Sequence, residues 1–90
     1  MDFNNYEVTW RGAGFNIYEG NYPQGRNDVS GSVVRLPGNR AGTLRVSGDR
    51  GSLILDTQED WPAFLDVTGP CESAEDCPVK SLAREITLRS

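Results

Sequence analysis

Val8-Thr9-Trp10-Arg11-Gly12-Ala13-Gly14-Phe15-Asn16-Ile17-Tyr18-Glu19 decides the reading of this chain, because a second stretch follows the same plan: Leu44-Arg45-Val46-Ser47-Gly48-Asp49-Arg50-Gly51-Ser52-Leu53-Ile54-Leu55-Asp56. Each copy is a β-type run, a Gly-bounded tight turn and a second β-type run that ends in an acid. An aromatic-Pro pair comes next in both, Tyr22-Pro23 and Trp61-Pro62. Beyond it a polar stretch leads through Ser into a new apolar run, at 27–34 in the first copy and 76–82 in the second. Two such copies predict two supersecondary units, 6–36 and 43–88, sharing one core.

The rest of the chain carries the same period. Tyr6, Val8 and Trp10 alternate with Glu7 and Thr9, Leu44 and Val46 with Thr43, Arg45 and Ser47, and Ile86 and Leu88 with Glu85, Thr87 and Arg89. Alternation of this kind turns one face of a strand inward. Residues 15–19, 32–36 and 52–56 are further β candidates, with Val34 and Leu36 as a core pair. Gly12 to Gly14 and Gly48 to Gly51 read as hairpin turns, since Gly supplies the positive φ such turns need. Pro37-Gly38-Asn39-Arg40-Ala41-Gly42 reads as the longer link between the units. Only 74–82 has room for a helical turn, and Pro78 argues against more than that. The expectation is an all-β fold, a small sandwich or barrel of two related β units. Ninety residues with two Trp, three Tyr and three Phe fill one modest core, so 1–90 reads as a single domain.

Charge and composition narrow the functions. With 13 acidic against 9 basic residues the chain repels a phosphate backbone, so nucleic acid is not an expected partner. No apolar run is long enough to cross a bilayer, and no membrane role is expected. Met1-Asp2-Phe3-Asn4-Asn5 lacks the features of a signal peptide, which leaves a cytoplasmic protein or a secreted mature form. Arg26, Arg35, Arg40, Arg45 and Arg50 crowd the middle of the chain, whereas 51–79 has no basic residue and collects Asp56, Glu59, Asp60, Asp66, Glu72, Glu75 and Asp76. Such a split reads either as a solvated surface whose halves neutralise each other or as a bipolar surface for oriented binding to a partner or to copies of itself. Arg outnumbers Lys eight to one, which favours the second reading, because guanidinium groups form ordered interface pairs more readily than ammonium groups.

The two halves, together with Asn27-Asp28-Val29-Ser30-Gly31-Ser32, resemble the βγ-crystallin family. That resemblance implies a double Greek-key fold and a calcium site on Asn27, Asp28 and Ser32, completed by carbonyl oxygens. Gly31 stands where the family has a hydroxyl residue. In the second copy, Asp76-Cys77-Pro78-Val79-Lys80-Ser81, only the end positions match, and Lys80 puts a positive charge where a ligand belongs. The same Asn27-Asp28 pair also reads as a turn whose side chains cap local backbone N–H groups. Apart from calcium, no cofactor is expected.

Cys71 and Cys77 flank an acidic loop and read as a disulfide or as two inert thiols. Neighbouring carboxylates disfavour the thiolate that redox chemistry requires, and two sulfurs without His do not make a zinc site. The absence of His also removes Ser-His-Asp and Cys-His catalysis in their usual forms. Leu53-Ile54-Leu55-Asp56-Thr57 resembles the apolar-Asp-Thr-Gly of retroviral-type aspartic proteases, but Gln58 occupies the Gly position. No catalytic residue is assigned. Trp10, Trp61 and Phe64 read as core, while Tyr18 and Tyr22, on either side of Gly20, are candidates for an exposed aromatic surface. The sequence therefore predicts a non-enzymatic binding or structural domain that engages a protein partner or a homo-oligomer through Arg35, Arg40, Arg45, Arg50, Tyr18 and Tyr22. A calcium-binding module or a small extracellular inhibitor or toxin is the alternative on the same scaffold.

Overall fold

The computed structural model describes residues 3–20, 31–57, 63–73 and 75–88. Six strands, β1 (Phe3–Trp10), β2 (Ala13–Gly20), β3 (Ser32–Leu36), β4 (Arg40–Ser47), β5 (Arg50–Asp56) and β6 (Phe64–Pro70), precede one helix, α1 (Pro78–Leu88). The strands form a single antiparallel sheet in the order β1-β2-β6-β5-β4-β3. The all-β class read from alternation is the one the chain adopts. On one face of the sheet α1, rather than a second sheet, covers the core, packing against β6, β5 and β3.

Turn chemistry sets the hairpins. Trp10 pairs with Ala13, leaving Arg11-Gly12 as a two-residue loop in which both φ angles are positive, 53° and 80°, the pattern of a type I′ turn. Ser47 pairs with Arg50 around Gly48-Asp49, with Gly48 at φ 64° in the first position, where a type II′ turn places its Gly. The stretch read as a long link is a third hairpin. Leu36 pairs with Arg40, Pro37-Gly38-Asn39 makes the turn, and Arg40, Ala41 and Gly42 already belong to β4. Gly38 and Asn39, at φ 79° and 60°, supply the left-handed residues that close it.

The helix corrects two further expectations. Pro78 opens α1 instead of breaking it, because the first helical position needs no N–H. The Cys77 carbonyl accepts from Lys80 N and Ser81 N at 3.0 and 3.2 Å, starting the ladder. Ile86 and Leu88, read as strand, lie in that helix. Val79, Leu82 and Ala83 are buried and Ile86 packs against the core, an i, i+3, i+4, i+7 stripe that outweighs a three-residue alternation. The likeness of the two halves therefore ends at their hairpins. The apolar run after the first becomes β3, beside β4, whereas the run after the second becomes α1.

Under α1, alternation places Ile17, Val67, Leu53 and Leu44 in one row across four strands, each less than 5% exposed. Leu65 and Leu55 form the next row. Gly51 and Gly69, paired across β5 and β6, make room on this face: a Cβ on Gly69 would meet the Phe15 ring, and one on Gly51 would lie 2.6 Å from Cys71 Cβ. Cys71 and Cys77 form a disulfide, with Cα atoms 4.1 Å apart, that ties the end of β6 to the start of α1. By the loop-length relation so short a closure contributes about 2 kcal/mol.

Candidate functional site

The strand positions that alternate with the core lie on the sheet face opposite α1. By register, Tyr18, Asp66, Ile54, Thr43 and Val33 form one row across it, and Asn16, Thr68, Ser52 and Arg45 form the next. A cleft of about 440 Å³ opens here, walled by Arg45, Ser47 and Arg50 and floored by Ser52, Ile54, Asp66 and Thr68. Asp66 is a carboxylate only 6% exposed. Ser52 Oγ, from the neighbouring strand β5, donates to its Oδ1 at 2.7 Å and Thr68 Oγ1, two positions along β6, donates to the same oxygen at 3.4 Å, which supplies the partners that burial of a carboxylate demands.

Arg45 and Arg50 lie diagonally across the two strands of the β4–β5 hairpin on one sheet face, Arg45 opposite Ser52 and Arg50 opposite Ser47. Both are exposed, and among the described residues neither is in an ion pair. Their guanidinium groups bring a row of forked donors to the cleft wall, suited to carboxylate oxygens. Further along the face a smaller cavity of about 250 Å³ is lined by Val33, Thr43, Ile54, Asp56 and Phe64. Val33 is 72% exposed, so this end of the face is apolar.

The structure brings together only part of the predicted set. Arg35, Arg45 and Arg50 share the face opposite α1 with Tyr18, which is half-buried with its phenol over Gly20. Arg40 pairs with Leu36 and falls on the α1 side, because an odd number of positions separates it from Arg35 and Arg45 along alternating strands. Tyr22 lies outside the described residues. The expected division into a basic and an acidic face is also revised: Asp56 and Asp66 alternate onto the same face as the three arginines. Glu72, Glu75 and Asp76 are held apart from them in the disulfide loop, where Ser73 Oγ accepts from Asp76 N at 3.1 Å. Of the calcium residues, Asn27 and Asp28 lie outside the described residues and Ser32 is exposed at the start of β3. Among the described residues no group of three or more Cys, Asp or Glu is placed to hold a metal ion.

A third cavity, about 230 Å³, lies between the β1–β2 turn and the start of α1, lined by Trp10, Arg11, Glu75, Asp76 and Ser81. Arg11 stacks 4.4 Å from the Trp10 ring centroid, and Trp10 meets Phe15 edge-on at 6.1 Å. Trp10 thus stays with the core, as read, while Phe64 turns to the opposite face. Sequence reasoning passed over Ser52, Asp66 and Thr68. Their signal was present in β6, where Leu65 and Val67 alternate with Asp66 and Thr68, but an acid in an acidic segment reads as solvated until cross-strand register places Ser52 beside it. No family model, curated protein or solved structure matches the chain.

Proposed function

We propose that this is a protein-binding domain whose working surface is the sheet face opposite α1, and that the partner presents acidic side chains to Arg45 and Arg50. The observation that carries the reading is the convergence of these two arginines on one cleft, outside any ion pair among the described residues. Arg35 extends the basic character along the same face, and Ile54, Val33 and Phe64 add apolar area beside it. Charged hydrogen bonds of this kind contribute about 1.5–3 kcal/mol each when the partner group is well seated. The mechanism is binding without chemistry: the arginines orient the partner, and the neighbouring apolar surface supplies area removed from water.

A fluorescein-labelled Glu-rich peptide provides the test. Wild type should bind it with an affinity that falls as salt rises from 0.1 to 1 M, and R45E/R50E should lower the affinity by about tenfold or more. R40E, on the other side of the sheet, should leave it within about twofold. Binding that ignores both salt and the double reversal, or that suffers as much from R40E, contradicts the proposal.

A further inference from the structure

The two edges of the sheet are built differently. β3 is short, starts after Gly31 at φ 152°, is followed at once by Pro37 and carries Arg35. Those are the devices by which proteins discourage strand addition at an edge. β1 has only one of them, the single charge of Glu7. It runs for eight residues, about 27 Å, paired to β2 in unbroken register from Phe3↔Gly20 to Trp10↔Ala13, with no bulge, Pro, Lys or Arg. Among the described residues nothing pairs with its outer side. Asn4, Asn5, Tyr6, Glu7 and Thr9 are exposed along it, and Tyr6 is among the large apolar side chains that the described surface leaves open.

We infer that β1 is a self-association edge that adds antiparallel to β1 of a second copy, with Tyr6 on the two-fold axis. A closed two-copy assembly through one edge is isologous and therefore antiparallel. Directly opposite residues must then lie on the same sheet face, so the axis passes through a residue rather than between two. Two registers use nearly the whole strand. One centres on Tyr6 and pairs 3–9 with their mates; the other centres on Glu7 and pairs 4–10. Glu7 is the one charge on β1. Centring on it sets two carboxylates directly opposite, a destabilising arrangement, whereas centring on Tyr6 places Glu7 opposite the Asn5 amide and Tyr6 against Tyr6. Charge thus selects the Tyr6 register, and the product is one continuous sheet with the two β1 strands at its centre. The inference is independent of the proposed acidic partner.

The described cysteines are all committed to the disulfide, so a single introduced thiol reports the register. Sedimentation equilibrium of the wild-type chain between about 10 μM and 1 mM should show mass rising from one chain toward two, the weak association expected of a small interface. Under mild oxidation Tyr6→Cys should cross-link to a covalent dimer at least about tenfold faster than an equimolar mixture of Asn5→Cys and Thr9→Cys, which keeps Glu7 and pairs directly only in the register centred on it. A mass that stays at one chain throughout overturns the inference. So does cross-linking of the Asn5→Cys and Thr9→Cys mixture as fast as that of Tyr6→Cys.

Discussion

Asp66 shows how a single residue ties this fold to its surface. Its carboxylate is buried between β5 and β2, and the short hydrogen bond from Ser52 makes that burial tolerable. Asp66→Ala leaves the Ser52 hydroxyl without its acceptor and should cost about 1–3 kcal/mol by urea unfolding, whereas Asp66→Asn keeps an acceptor in the same position and should cost clearly less. Equal losses would mean that charge, not the hydrogen bond, holds the site. Tyr6 offers a second test at this scale. Partial burial of its ring, and then Glu19 beside it, whose Oε2 accepts from the phenol at 3.4 Å, raise its pKa above the ordinary 10.0. Since the folded state keeps the proton longer than the unfolded chain, this contribution is fully present below pH 10 and is lost as pH climbs through the raised value. Thermal melts above pH 10 should therefore show wild type falling faster than Tyr6→Phe, and parallel decline would remove Tyr6 as the cause.

Among the described elements, α1 carries the most weight for its size, because among the described residues it is the one element that covers the core face of the sheet. Leu82→Ala, deep under the helix, should cost about 2–5 kcal/mol, enough to lower the melting temperature by about 10 °C or more in a domain of this length. Ser81→Ala, on the exposed side, should stay within about 0.5 kcal/mol. Similar effects at the two positions would contradict the packing described. The strands were legible because two of the hairpins declare themselves in Gly placement and alternation. The third was not, since Pro37-Gly38-Asn39-Arg40-Ala41-Gly42 contains both a turn and the start of a Gly-containing strand, and a long polar link has the same composition. The helix is legible only as a turn within 74–82, because Pro78 weighs as a breaker. The Val79, Leu82, Ala83, Ile86 spacing that marks the helix was available, but a Pro reads as a first helical residue only when the stripe after it is counted. Arg35, Arg45 and Arg50 were legible as binding candidates from composition. Their separation from Arg40, and the company of Asp66 and Ser52, required the register.

At the scale of the whole molecule, the formal net charge is −4 and an acidic partner is repelled at long range. At 0.1 M salt that repulsion is screened beyond about 10 Å, so attraction is left to groups that reach the Arg45 and Arg50 cleft itself. The sheet separates tasks: one face holds α1 and the disulfide, the other presents the arginines, and the β1 edge is left for strand addition. No described helix is long and apolar enough to cross a membrane. The central claim, that binding belongs to the face opposite α1, is tested most directly by amide chemical-shift mapping of the wild-type protein titrated with the Glu-rich peptide. Shifts should concentrate at Arg45, Ser47, Arg50, Ser52, Ile54 and Thr68 and leave Val79 to Thr87 unmoved. A map centred on α1 and the disulfide loop, or no shifts at saturating peptide, would contradict the account.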